Sequence, residues 1–160
     1  MFSPFLSEQV RAAHDGPTWH GNALAESLVG IDAERAAARV IPEAHSVWEI
    51  VLHLTAWTRE VTRRLEGAAP AAPAEGDWPP VGPVSEEAWA TARRGLGDAH
   101  AALATAVARL PAERWSEPVG GERDAPLGTG VSHAAMVAGL LQHDAYHGGQ
   151  IGLLRKALRV

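Results

Sequence analysis

Apolar residues recur at helical spacing along most of the chain. In residues 46–66 the apolar stripe consists of Val47, Ile50, Val51, Leu54, Val61 and Leu65. A helix buries such a stripe against a core. Ser46 and Glu49, three residues apart, have the spacing of a capping box and predict the start of this helix. β-Branched residues never alternate with polar ones over a long stretch, so the pattern favours helices over strands.

The same reasoning predicts four main helices. The first covers residues 4–14, breaks at Gly16 and Pro17, and resumes over 18–29 with Thr18 as its N-cap. The others cover 46–66, 85–109 and 131–158, with short helical pieces at 32–39 and 111–115. The long connections 67–83 and 117–129 are rich in proline and glycine. We therefore predict an all-α four-helix bundle that forms one domain over residues 1–160.

Composition narrows the possible partners and chemistry. Of the 160 residues, 46% are hydrophobic and 21% are charged, and the formal net charge of −5 argues against a nucleic-acid partner. The chain has no cysteine, which excludes disulfides, thiolate ligands and a cysteine nucleophile. No signal peptide is apparent at the N-terminus, and no apolar run reaches the roughly 18 residues of a membrane span. We expect a cytoplasmic protein without a membrane partner.

The last predicted helix carries a histidine pair suited to metal binding. His143 and His147 are four residues apart and therefore project from one helical face. We expect that face to look into the bundle, because the opposite side carries Asp144 and Arg155. Two inward imidazoles need a partner, which a metal ion would supply. Hydrogen bonds to backbone or water are the alternative.

A third histidine lies in the second helix, at the border of its apolar stripe. A single histidine in such a place is more often a hydrogen-bonded core residue than a metal ligand. If the last helix lies beside the second, however, His53 completes a set of three imidazoles. Three neutral nitrogens with one or two open positions are a common way to build a catalytic Zn²⁺ site, or a related Ni²⁺ or Fe²⁺ site.

Two segments together resemble the DinB/YfiT-like superfamily. In HSVWEIVLHLTAW, Trp48 and His53 fit a W-x-x-x-x-H pattern, and HDAYHGGQIGLLRKAL contains the late H-x-x-x-H followed by G-Q. The resemblance implies a four-helix bundle of up-down-down-up order, with His53, His143 and His147 as metal ligands. It also implies a homodimer. Characterised members include S-transferases and isomerases that use low-molecular-weight thiols, and others look like metal-dependent hydrolases.

Several residues near these histidines are candidates for a catalytic role. Gln150 is expected on the ligand face, where it orients a metal-bound water or an imidazole, or else hydrogen-bonds across the bundle. Glu49 and Glu60 lie one or two helical turns from His53, and either is a candidate general base if it reaches bound water. Solvated glutamates are the alternative. Trp57 and Tyr146 are expected mainly to pack, with Trp57 a candidate wall of the pocket.

These observations lead to three functional hypotheses. The first is a metal-dependent enzyme acting on a small molecule, either a thiol S-transferase or a hydrolase, with Trp78 of the loop 67–83 covering the pocket. Its cofactor would be Zn²⁺ or Ni²⁺, with Fe²⁺ also compatible, and a thiol would be the co-substrate. The second is a non-catalytic metal-binding module in a stress response or an interaction. The third is a bundle with hydrogen-bonded histidines and no metal.

Overall fold

The computed structural model describes residues 2–160, apart from the side chain of Phe2. Over that range the chain is all-α, as predicted, with no β-strand. The helices are α1 (Phe2–Asp15), α2 (Leu24–Ser27), α3 (Ala33–Ala37), α4 (Val47–Leu65), α5 (Glu86–Arg109) and α6 (His133–Leu158). A 3₁₀ helix, Ala112–Ser116, follows α5.

Side-chain caps set the starts of the three longest helices. At α4 the Ser46 side chain accepts from the backbone of Glu49, and the Glu49 carboxylate accepts from the backbone of Ser46, which confirms the capping box. Ser85 caps α5 and Ser132 caps α6 in the same way, through their hydroxyl oxygens. These helices therefore begin within two residues of their predicted starts.

The predicted helix over residues 18–29 is wrong. Only Leu24–Ser27 is helical there, and the Thr18 hydroxyl donates to the carbonyl of Gly21 instead of capping a helix. Gly21 has a φ of 137°, a conformation that interrupts a helix. The break predicted at Gly16 and Pro17 therefore extends over the following residues.

The four long helices pack so that α1 and α4 each lie against both α5 and α6. Buried apolar side chains form two clusters. The first includes Ile50, Leu54, Trp89, Leu96, Ile151 and Leu154. The second includes Val10, Val61, Leu103, Val107, Val137 and Leu140. Along α5 and α6 these clusters are separated by a short polar layer.

The polar layer contains the histidines that were predicted as metal ligands. It falls at His100 on α5 and at His143, Asp144 and His147 on α6, between the residues that each helix gives to the two clusters. His53 joins it from α4. The apolar clusters on either side hold the helices together. The polar residues between them are therefore not needed as apolar core and can serve as ligands or hydrogen-bond partners. No helix among residues 2–160 combines the length and hydropathy of a membrane span.

Candidate metal centre

Helices α4 and α6 bring the three predicted histidines together. The Nε2 atom of His53 lies 2.9 Å from Nε2 of His143, which lies 3.1 Å from Nε2 of His147. Helical spacing explains the second distance, because residues four apart share a face. The first joins positions 90 residues apart in sequence, and it arises because α4 lies beside α6.

Hydrogen bonds at the opposite ring nitrogens orient two of these imidazoles. Nδ1–H of His53 donates to the carbonyl oxygen of Asp77 at 2.6 Å, and Nδ1–H of His147 donates to Oε1 of Gln150 at 2.7 Å. Each bond places the proton on Nδ1, so Nε2 of that ring is a lone-pair acceptor. Nδ1 of His143 is buried and has no hydrogen-bond partner among the described residues.

The arrangement of the three Nε2 atoms suits a cation. The Nε2 atoms of His53 and His147 are both acceptors, and a proton on His143 can satisfy only one of them. A single divalent ion satisfies all three at once. Two nitrogens bound to a tetrahedral Zn²⁺ lie about 3.3 Å apart, close to the spacing seen here. These donor atoms all lie within 4.8 Å of one another, and no other such group occurs among residues 2–160.

All three histidines are held in the neutral form that metal binding requires. Burial lowers the pKa of His143 to about 4, helped by any positive charge on His147 and His53. Burial also lowers the pKa of His53 and of His147, against the opposing effects of their hydrogen bonds to Asp77 and Gln150. The donor set therefore fits Zn²⁺, Ni²⁺ or Fe²⁺, which imidazole nitrogens bind well.

The loop between α4 and α5 covers this cluster. Trp78 lies parallel to His53, with ring centroids 3.9 Å apart, and parallel to His45 on its other face, at 3.5 Å. It also meets His147 edge-on at 5.9 Å. Asp77 is tied to α4 because its carboxylate accepts from the Trp57 indole at 2.6 Å. Trp78 therefore lies over the histidine cluster, the place predicted for it as a cover of the pocket.

Two cavities reach the cluster from different sides, and His143 lines both. The Tyr146 cavity, of about 560 Å³, is lined by His143, Tyr146, His147, Gln150, Trp78, His45, Glu43 and apolar side chains. The Arg123 cavity, of about 550 Å³, is lined by His53, His143, Trp57, Asp77, Arg64, Arg123 and apolar side chains. Small molecules can thus approach the histidines from two directions.

The two candidate glutamates are engaged elsewhere. Glu49 pairs with Arg39 and caps α4, and the Arg39 guanidinium holds the pKa of Glu49 at about 2. Glu60 is buried and accepts from Arg63, Arg64 and the backbone N–H of Ala71. Neither lines the Tyr146 cavity or the Arg123 cavity. The structure therefore does not bring either carboxylate to the histidine cluster.

The other predicted residues fall into distinct places. The side-chain oxygen of Gln150 accepts a hydrogen bond from Nδ1–H of His147 at 2.7 Å. Trp57 lines the Arg123 cavity. Tyr146 is 64% exposed and meets the His147 ring edge-on at 5.0 Å.

A buried ion pair beside the cluster was not predicted. Asp144, expected on the outer side of α6, is 2% exposed, and its carboxylate lies 3.2 Å from Nε2 of His100. Burial opposes protonation of His100, but the hydrogen bond and charge of Asp144 outweigh it and raise the His100 pKa. The spacing of the sequence indicates that Asp144 faces inward. Asp144 lies four residues after Leu140, three before His147 and seven before Ile151, and these three residues are all buried.

Fold and site together define an all-α protein with a three-histidine cluster that could hold a metal ion. The sequence profile of the DinB superfamily matches residues 18–151. The chain therefore belongs to the DinB superfamily, which confirms the resemblance found in the sequence. No curated protein and no solved structure matches it.

Proposed function

We propose that this protein is a metal-dependent enzyme acting on a small molecule, with His53, His143 and His147 as the metal ligands. The convergence of their three Nε2 atoms carries the proposal. Two of the rings are oriented from outside by Asp77 and Gln150, the usual support for ligating histidines. Three protein ligands leave an open position, as catalytic sites do.

Within this class, transfer of a thiol to an electrophile is favoured over hydrolysis. Transfer needs room for two substrates, and the two cavities that share His143 offer it. Hydrolysis calls for a general base near the bound water. Glu49 and Glu60 are held by arginines and line neither cavity, so the carboxylates left for this role are Asp77, which accepts from the Trp57 indole, and Glu43.

The proposed reaction is a nucleophilic substitution. A bound divalent ion would favour the deprotonated form of the thiol. The thiolate sulfur forms a bond to the electrophilic carbon while the carbon–halogen bond breaks. The halide leaves with the bonding electron pair, and the thiol proton passes to solvent. Of the chain's own residues, Trp78 covers one face of this place by stacking on His53.

The test combines metal analysis with turnover. Protein supplemented separately with Zn²⁺, Ni²⁺ and Fe²⁺ is assayed with 1-chloro-2,4-dinitrobenzene and a low-molecular-weight thiol, with and without the thiol. We expect about one metal per chain and thioether formation that needs both metal and thiol. Less than about 0.2 metal per chain with native helicity contradicts the metal site. Stoichiometric metal without turnover of any electrophile favours the non-catalytic metal-binding module.

Other features remain proposals that rest on the family resemblance or on the sequence alone. They are the up-down-down-up helix order, a homodimer and a cytoplasmic location. Sedimentation velocity tests the dimer, since a single monomeric species across concentrations would contradict it.

A further inference from the structure

The Arg123 cavity contains a guanidinium group, that of Arg123, which forms no ion pair among residues 2–160. Two guanidinium groups line it. Arg64 is buried, pairs with Glu60 at 2.7 Å, and donates to the carbonyls of Leu127 and Ala71. Arg123 donates only through Nη1, to the carbonyls of Thr129 and Asp124 at 3.0 and 3.4 Å, and forms no ion pair with the described residues.

The position of Arg123 is fixed by the loop that carries it. A Cβ atom on Gly130 would lie 2.7 Å from the Cα atom of Arg123, so the two backbones are in close contact. Thr129 bridges the loop, accepting from the backbone of Asp124 and donating to the carbonyl of Glu122. Arg123 is exposed, and this backbone geometry together with the two Nη1 hydrogen bonds places its guanidinium at the cavity.

The rest of this cavity is mainly apolar. Its walls include Trp57, Val61, Met136 and Leu140, and it ends at His53 and His143. Asp77 supplies a negative charge, but its carboxylate accepts from the Trp57 indole and lies 3.3 Å from Nδ1 of His53. The Tyr146 cavity differs, since it contains Glu43 and no arginine or lysine. Of the two cavities, the Arg123 cavity is therefore the one whose lining offers guanidinium donors to a carboxylate.

We propose that the Arg123 cavity binds a small organic acid, with its carboxylate on Arg123 and its apolar body between Trp57 and Leu140. The planar guanidinium fork matches a carboxylate, and the unused Nε and Nη2 donors are available to it. The opposite end of such a molecule then reaches His53 and His143. This inference rests on the proposed function, because it makes the acid the substrate that meets the metal centre.

Binding of two matched probes tests the proposal. The probes are 4-phenylbutyrate and its neutral amide, 4-phenylbutanamide, titrated into the full-length protein and followed by ligand-observed NMR at low salt. We expect the acid to bind about fivefold more tightly than the amide, the range of a partly exposed ion pair. Arg123→Gln should reduce acid binding to the level of the amide, and Arg94→Gln, outside the cavity, should leave it unchanged.

A second variant separates this cavity from other sites. Gly139 lines the cavity, and a Cβ atom added there meets nothing within 4 Å, so Gly139→Leu should fill the space and abolish binding of both probes. Gly149→Leu, at an equally open position on the same helix outside the cavity, should have no effect. Both replacements also favour the helix.

The inference would be overturned by equal binding of acid and amide, by an acid preference that survives Arg123→Gln, or by unchanged binding in Gly139→Leu. Absence of saturable binding up to about 10 mM would do so as well. Metal content measured on the same samples distinguishes failure of the proposed metal-dependent function from failure of the proposed acid site. An Arg123-dependent acid preference in protein that takes up no metal refutes the proposed function alone. Equal binding of both probes to metal-loaded protein refutes the cavity assignment alone.

Discussion

Trp78 and His53 lie face to face, with their rings 3.9 Å apart and tilted by only 9°. The fluorescence of an indole in this position should change when a metal ion binds to the histidines. We expect Ni²⁺ to quench part of the tryptophan emission, because the ion would be held on the ring against which Trp78 stacks. Trp78→Phe should remove this change. Trp19→Phe is the matched control, since Trp19 is fully exposed, and an equal loss of quenching in both variants would contradict the assignment.

His143→Ala should lose metal and still fold. The ring is central to the cluster, since its Nε2 contacts both partner histidines. Two apolar clusters hold the helices together independently of it. Elemental analysis should fall from about one metal per chain to less than about 0.2, with helical circular dichroism retained. His20→Ala, at an exposed histidine, should keep its metal. Global unfolding of His143→Ala would show instead that the site is structural.

Gln150→Ala should weaken metal binding without abolishing it. Its amide oxygen holds the His147 ring by Nδ1–H at 2.7 Å, and loss of such a partner typically reduces metal affinity about 10- to 100-fold. Competition with a chromogenic chelator measures the change. Gln142→Ala provides the control, because Gln142 is exposed on the same helix. If both variants bind equally tightly, Gln150 does not orient His147.

The buried pair of His100 and Asp144 should contribute strongly to folding. His100→Phe leaves the Asp144 carboxylate buried without its partner, and we expect a loss of about 3 kcal/mol in the free energy of unfolding. The double variant with Asp144→Leu should lose less than the sum of the two single variants. Urea denaturation measures all four proteins. Strict additivity would mean that the two side chains do not interact.

Glu49 should make stability depend on acid pH. Its folded pKa of about 2 lies below the ordinary value of 4.5, so its contribution is complete above pH 4.5 and is lost as the pH falls toward 2. Since Arg39 is half exposed, we expect about 1–2 kcal/mol instead of the larger value that the shift alone implies. Glu49→Gln should therefore be less stable than wild type at pH 7 and equal to it near pH 2.

Urea unfolding across this pH range provides the measurement for Glu49. Glu8→Gln, at an exposed position on α1, should follow the wild-type curve throughout. A stability difference for Glu49→Gln that stays constant from pH 7 to pH 2 would show that ionisation of Glu49 plays no part.

The local features of this protein follow from short stretches of its amino-acid sequence. Helix starts at Ser46, Ser85 and Ser132 follow from side chains that satisfy free backbone N–H groups a few residues away. The shared face of His143 and His147 follows from the helical repeat. Family membership was also accessible, because its motifs are short and contiguous.

Contacts across the bundle could not be predicted from any single stretch of the chain. The contact of His53 with His143, the burial of Asp144 against His100 and the stacking of Trp78 on His53 each join segments that are distant in the chain. The same holds for the pairing of Glu49 with Arg39, which engages the Glu49 carboxylate at the start of α4. Helical periodicity gives the direction of a side chain relative to its own helix axis. Which neighbour it meets depends on how the helices and loops pack around one another.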